Sequence, residues 1–299
     1  MKIKKAVALL SAMMLIGTLL AGCGAKNKTS YPDKAILVVS FGTSYNDSRH
    51  ITIGAIENAI WEAHPDYLVK RAFTAQIIID KLAERDGIHI DNVTQALDKL
   101  VADGIKTLVV QPTHLMDGYE YNDLIDVLKE YKDKFDSITV GAPLLYTAED
   151  RAKVIDIISA ETASYSTSDT AIIFMGHGTE APSNAVYATL QDELTKAGYG
   201  NYFIGTVEGT PTLDDVMAAA KAGGYKNVVL EPLMVVAGDH ANNDMAGTEE
   251  DSWKTAFEAD GFNVTCLIRG LGQFSGVQDI YLQHVQDAIN GNGSSVSIS

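Results

Sequence analysis

Three side chains able to hold a divalent ion stand at the ends of apolar runs in the second half of this 299-residue chain. His177 closes the run Ala171-Ile172-Ile173-Phe174-Met175 inside the turn Gly176-His177-Gly178-Thr179. Glu208 follows the run that starts at Tyr202, in Val207-Glu208-Gly209-Thr210-Pro211, and His240 follows the run from Val228, after Gly238-Asp239. Two imidazoles and one carboxylate suit a borderline ion such as cobalt, iron, nickel or zinc. Calcium or magnesium would want more oxygen. A neutral imidazole can also take a proton near neutral pH. The spacing matches no local metal motif, so the set depends on tertiary convergence. Each member taken alone has a plainer account. His177 could simply complete a turn, and Glu208 could answer the dipole of a proline-started helix. Asp239 could orient a histidine ring or begin the next helix. A phosphate-binding loop, a dinucleotide fingerprint and a nucleophile elbow are all missing from the sequence, since Gly176-His177-Gly178 lacks a third glycine in register.

To bring these positions to one rim the chain must place several strand ends side by side. From Ala35 onward, apolar β-type runs alternate with longer amphipathic segments, which predicts an α/β fold of parallel strands joined by helical crossovers. Strands are expected near 35–40, 67–73, 106–111 and 137–141, then near 171–175, 201–207, 226–231 and 263–268. Helices are expected near 47–63, 75–85, 91–103, 120–133, 148–162, 182–197, 212–222, 243–260 and 276–289. The unit is written twice. Gly104-Ile105-Lys106-Thr107-Leu108-Val109-Val110-Gln111-Pro112 reads like Gly224-Tyr225-Lys226-Asn227-Val228-Val229-Leu230-Glu231-Pro232, 120 residues on. Continued past the proline, that alignment sets Gly118 on Gly238, Glu120 on His240, Asn122 on Asn242 and His114 on Met234, and Phe41-Gly42-Thr43 matches His177-Gly178-Thr179. Such duplication predicts two similar βα lobes, 34–145 and 146–299, facing each other across a cleft. The connection lies near Pro143 to Glu149, and the last helix is expected to pack back on the first lobe. At the paired positions the second copy carries His177 and His240 where the first carries Phe41 and Glu120, so the second copy is expected to hold the metal chemistry and the other to wall the cleft.

The amino-terminal residues read as a separate signal. Lys2, Lys4 and Lys5 precede the apolar run from Ala6 to Leu20, and Leu20-Ala21-Gly22-Cys23 follows. That order is the pattern of a lipoprotein signal peptide over residues 1–22, with lipidation at Cys23 and a tether over 23–33. The expected location is therefore extracytoplasmic or periplasmic, with membrane contact through the lipid anchor only. Loss of the three leader lysines takes the formal charge from −16 to −19. An acidic body of that kind lacks the basic footprint that nucleic acid requires. The other cysteine, Cys266, falls in a run expected to be a buried strand, and with Cys23 lipidated neither an intrachain disulfide nor a cysteine-rich metal site can form. Any anionic ligand must be bound locally, because the net field repels it. Helix amides behind Gly42-Thr43-Ser44 and Gly178-Thr179 are candidates, as are Arg49 and Arg71, although both arginines could be ordinary surface charge, the reading favoured for Arg49.

Taken together, Ser40-Phe41-Gly42-Thr43-Ser44, Ala72-Phe73-Thr74-Ala75-Gln76-Ile77-Ile78, His114-Leu115-Met116-Asp117-Gly118-Tyr119-Glu120-Tyr121, Gly176-His177-Gly178-Thr179, Val207-Glu208-Gly209 and Gly238-Asp239-His240-Ala241-Asn242-Asn243-Asp244 resemble the anaerobic cobalt chelatase family. That family is the sirohydrochlorin cobaltochelatases of the class II chelatase fold, and the likeness runs from about Lys34 to Ile289. The resemblance implies a tetrapyrrole cleft between two lobes. It further implies His177, Glu208 and His240 as metal ligands, with both histidines catalytic through uptake of pyrrole protons. Co2+, with Fe2+ or Ni2+ as alternatives, would be a substrate, and no organic cofactor is expected. Thr43, Ser44, Arg71 and Thr179 are the expected contacts to the tetrapyrrole. His114 is a candidate contact to haem or to a neighbouring subunit in a homo-oligomer. The leader departs from a cytoplasmic pathway, and it leaves open a reading from another class, an exported haem-, corrinoid- or metal-binding lipoprotein without catalysis.

Overall fold

The computed structural model describes residues 33–293 and 295–298, so the leader and Cys23 lie outside the described residues. The first lobe opens with β1 (Lys34–Ser40), α1 (Asn46–Ile51), α2 (Ile53–Ala63), β2 (Leu68–Phe73) and α3 (Gln76–Asp86). It continues with α4 (Val93–Ala102), β3 (Thr107–Pro112), α5 (Tyr119–Glu130) and β4 (Ser137–Val140). Helix α6 (Ala148–Thr162) leads to β5 (Thr170–Gly176), α7 (Ala185–Lys196), β6 (Tyr202–Thr206), α8 (Leu213–Ala222) and β7 (Asn227–Pro232). Then come α9 (Trp253–Ala259), β8 (Asn263–Cys266), α10 (Ser275–Asn290) and β9 (Val296–Ile298).

Two sheets result, in the orders β2-β1-β3-β4-β9 and β6-β5-β7-β8. The first four strands of each lobe take the same places, all parallel, as a duplicated unit should. Strand β9 is the exception, since it runs antiparallel on β4 and returns the chain's end to the first sheet.

Central strands β1 and β5 are almost wholly apolar because both of their faces are covered. Their alternation then decides which core each side chain enters. Ile36 and Val38 of β1 join Ile172 and Phe174 of β5 in one hydrophobic core shared between the lobes. The residues between them face outward, Leu37 and Val39 under the first lobe's helices and Ile173 and Met175 under the second's. Helix α10 supplies Val277, Ile280, Tyr281 and Val285 to the shared core. From there the Tyr281 hydroxyl donates to the Thr113 carbonyl at 3.0 Å, tying the helix to the first lobe.

Three local expectations change. The helix expected over 47–63 breaks at Thr52, whose backbone turns out of helical geometry (φ −111°, ψ −81°) while its hydroxyl donates to the Ser48 carbonyl. A side chain that bonds its own backbone competes with the helical ladder. The helix expected over 243–260 is instead a π-turn, Ala241–Met245, followed by the short α9. Here Ser252 caps α9 by accepting from Thr255 N (3.2 Å) and donates to the Gly247 carbonyl (2.9 Å), so the chain must turn before the helix starts. Cys266 lies on the edge strand β8 and is half-buried rather than buried, with burial raising its thiol pKa.

Candidate active site

His177 is held by its two glycine neighbours. A Cβ on Gly176 would lie 2.3 Å from the Tyr187 ring, and one on Gly178 (φ +84°) would lie 2.4 Å from the Gly209 nitrogen. The loop carrying Glu208 packs directly on that second glycine. Val207 N donates to the Gly176 carbonyl at 3.0 Å and Glu208 N to the His177 carbonyl at 2.7 Å, which extends the β5–β6 pairing past the strand ends. The Glu208 carboxylate then stands 3.8 Å from His177 Nδ1.

His240 arrives from β7 and starts the π-turn. Its ring meets that of His177 edge to face, with centroids 4.6 Å apart and planes at 89°. The two rings are anchored alike. His177 Nδ1 is 2.8 Å from the Gly178 carbonyl, and His240 Nδ1 is 2.5 Å from the Asp244 carboxylate. Both partners are acceptors, so each ring donates from Nδ1, which leaves Nε2 as the nitrogen open to a metal. Half-exposed, with Glu208 beside them, the rings can receive an ion from solvent. Among the described residues no three His, Cys, Asp or Glu side chains are gathered tightly enough to enclose a metal. The three strand-end residues are thus neighbours in an open arrangement.

Asp244, rather than the adjacent Asp239, is the group that orients the His240 ring. Asp239 accepts from the Tyr45 hydroxyl (3.4 Å) and from Asn243 Nδ2 (3.0 Å). A signal existed in the four-residue spacing of His240 and Asp244, which sets both on one face of a helical turn.

The expected tetrapyrrole contacts fare differently. Thr43 and Ser44 are buried, and the Thr43 hydroxyl accepts from Tyr45 N at 3.2 Å. A Cβ on Gly238 would sit 3.1 Å from that hydroxyl, so Thr43 is spent on contact between the lobes. Helix α1 behind it has only six residues. Arg71 is committed to Glu57 through two parallel hydrogen bonds, the Nε one at 2.6 Å, which satisfies its guanidinium fork. Arg49, read as surface charge, is buried, and its guanidinium donates to the Thr43 carbonyl at 3.4 Å. Thr179 remains half-buried next to His177, its hydroxyl accepting from Ala181 N at 3.1 Å. Residue His114 is half-buried, but both its ring nitrogens are buried without a hydrogen-bond partner, and burial takes its pKa down to about 4. As placed, it offers no nitrogen to a haem iron or to a neighbouring subunit.

Contacts between the lobes repeat the duplication. Gly238 meets Thr43 across the boundary, and its counterpart Gly118 meets Ser183, whose hydroxyl would be 3.7 Å from a Cβ there. A cavity of about 400 Å³ lined by Asp150, Lys153, His284 and Asp287 shares no residue with the histidine pair.

Two duplicated parallel-sheet lobes with ligand-type residues at the carboxyl ends of the strands define a class II chelatase architecture. Solved structures agree on the fold. SirB from Bacillus subtilis with Fe3+ superposes with a TM-score of 0.60 at 13% identity, over 86% of this chain and 96% of that one. CbiX, the terminal enzyme for biosynthesis of sirohaem in denitrifying bacteria, gives 0.52 at 16% identity, over 85% and 99%. The chain belongs to the cobalt chelatase (CbiK) family, whose profile matches residues 34–290. It is 37% identical to the sirohydrochlorin cobaltochelatase of Salmonella typhimurium over 86% of this chain and 97% of that protein. To the sirohydrochlorin cobaltochelatase CbiKC of Nitratidesulfovibrio vulgaris it is 34% identical, over 86% and 91%.

Proposed function

We propose that this chain is a metal chelatase of the lyase class that inserts Co2+ into sirohydrochlorin, releasing two protons. The observation that carries the reading is the edge-to-face pair His177 and His240 beside Glu208, each ring anchored through Nδ1. Insertion requires that water be stripped from the ion, that the ion be presented to the ring, and that two pyrrole N–H protons leave. Glu208 offsets the ion's charge, and the two Nε2 atoms replace part of its water shell. As the pyrrole nitrogens bind the metal they release two protons, and the imidazoles, freed from the ion, accept them. An open, incomplete ligand set suits a metal that must leave, whereas a closed four-ligand cage would keep it.

The test is incubation of the purified protein with metal-free sirohydrochlorin and Co2+, followed by absorbance, with Fe2+ and Ni2+ in parallel. A rate above uncatalysed insertion is expected with cobalt. Binding of tetrapyrrole or metal with no such rate would favour the exported binding protein over the enzyme.

The leader supports a second proposal, that the mature chain from Cys23 is lipid-anchored outside the cytoplasmic membrane, its body made of the lobes 34–145 and 146–299 with β9 crossing back to the first sheet. Cys23→Ser should shift the protein from the membrane to the soluble fraction. Undiminished membrane association would refute the lipid anchor. Self-association into a homo-oligomer is read by sedimentation of the mature protein.

A further inference from the structure

Phe41 has the first-lobe position that His177 has in the second, at the carboxyl end of the central strand. Its surroundings are rigid. Ser40, Gly42, Thr43 and Ser44 are all buried, and only the Phe41 side chain between them is exposed, at 49%. The Phe41 carbonyl accepts from Ala75 N, the Ser40 carbonyl accepts from Thr74 N, and Gly42 (φ +105°) is pressed on the Phe73 ring, where a Cβ would lie at 2.6 Å. About half of the Phe41 ring is thus left to solvent on a turn whose backbone is tightly held.

The same turn touches the metal-handling lobe. Thr43 packs on Gly238, the Tyr45 hydroxyl donates to Asp239, and Ala237 N donates to the Ser48 hydroxyl at 3.1 Å. Residues 237–239 lead directly into His240. Phe41 precedes Thr43 by two residues in this turn, on the lobe that packs against residues 237–239. Two further exposed apolar side chains stand past neighbouring strand ends of the first sheet, Ile77 after β2 and Tyr119 after β3. The second sheet presents His177, Glu208 and His240 at the corresponding edge.

We infer that Phe41 is the stacking face for the macrocycle, the apolar counterpart of the histidines across a duplicated site. This rests on the chelatase reading above. A planar conjugated ring has two faces and a polar rim. One face must meet the ion held by the imidazoles, and the other is best covered by a flat apolar group that needs no reordering on binding. An aromatic ring on a fixed turn meets both requirements.

The experiment uses the full mature chain and compares wild type with Phe41→Ala, Phe41→Leu and Phe41→Trp. Binding of metal-free sirohydrochlorin is followed by quenching of its fluorescence, and cobalt insertion is measured with each substrate varied in turn. Phe41→Ala should raise the KM for sirohydrochlorin and weaken its binding by about ten- to a hundredfold, with the KM for Co2+ unchanged. Phe41→Trp should retain near wild-type binding, and Phe41→Leu should fall between. The inference is overturned if Phe41→Ala binds the macrocycle like wild type, or if Phe41→Leu equals Phe41→Trp, which would mean apolar area alone matters. Thermal melting accompanies each variant. A melt lowered equally in Ala, Leu and Trp, with binding lost in all three, would make Phe41 structural and also overturn the inference. Wild type with no insertion activity would count against the chelatase reading itself, whereas active wild type with indifferent variants removes only the role of Phe41.

Discussion

His240 and Asp244 are joined across one helical turn, with Nδ1 2.5 Å from a carboxylate oxygen, and this contact aims the ring at His177. Asp244→Ala should free the His240 ring to rotate and to change tautomer. Partners of this kind are typically worth about 10- to 100-fold in metal affinity or activity. Cobalt-dependence of the insertion rate is the measurement, and Asp239→Ala is the control. An equal loss in both variants would remove the distinction drawn between the two aspartates.

His177→Ala and His240→Ala should each cost about 10²- to 10⁴-fold in insertion rate, the scale of a lost acid–base or ligand group. Circular dichroism and melting should be near wild type, because both side chains are half-exposed beyond the strands. Either variant with near wild-type turnover would strip that histidine of its role.

Gly178→Ala tests how closely the two loops must approach. An alanine at φ +84° costs about 1–2 kcal/mol of backbone strain, and its methyl would overlap the Gly209 nitrogen at 2.4 Å, driving the Glu208 loop away from His177. Gly224→Ala is the matched comparison, since Gly224 has φ +70° with nothing within 4 Å of a Cβ. Both variants should lose stability in a thermal melt, and only Gly178→Ala should lose activity.

Burial pushes the Glu231 carboxyl from 4.5 up to about 7, although Arg269 donates to both of its oxygens (2.9 and 3.1 Å). Between those two pH values the unfolded chain has released this proton while the folded chain keeps it. Stability from this group therefore falls as pH rises through the window, by on the order of 3 kcal/mol in all. Glu231→Gln, which installs the residue type of the duplicated position Gln111, should lack that portion of the slope. Urea melts of both proteins from pH 4.5 to 7.5 measure the difference, and parallel slopes would contradict it.

His114 acts in the opposite sense. With its pKa depressed from 6.5 to about 4, the unfolded chain takes up a proton in that window and the folded chain does not. Stability from this residue is full above about 6.5 and falls as the pH drops toward 4. His114→Ala should flatten the acid limb of the stability profile and leave cobalt insertion largely unchanged. Loss of insertion with intact fold and metal binding would move His114 into the reaction site.

Much of the molecule was legible from residue order because it is locally encoded. Eight apolar runs became the parallel strands, and the match of Gly104–Pro112 with Gly224–Pro232 anticipated two sheets with the same strand order. A small-residue turn after each run marked where His177 and His240 would stand. Side-chain partners were not legible, since they depend on which loops the folded lobes bring together. Two aspartates flank His240, and only the π-turn decides that Asp244 rather than Asp239 reaches its ring. Neither Arg71 nor Arg49 shows its partner in sequence, yet one closes on Glu57 and the other is buried under the Thr43 turn. Thr43 and Ser44 have the composition of a ligand-binding loop, but the second lobe packs on them through Gly238. The last strand, β9, has too few residues to carry a pattern, and it forms because α10 delivers it to the open edge of β4. Sequence determined which chemistry the chain could perform and on which strand ends, because period and residue type are local properties. Tertiary structure alone decided which polar groups remain free to perform it, because burial and hydrogen bonding between distant segments satisfy the others first.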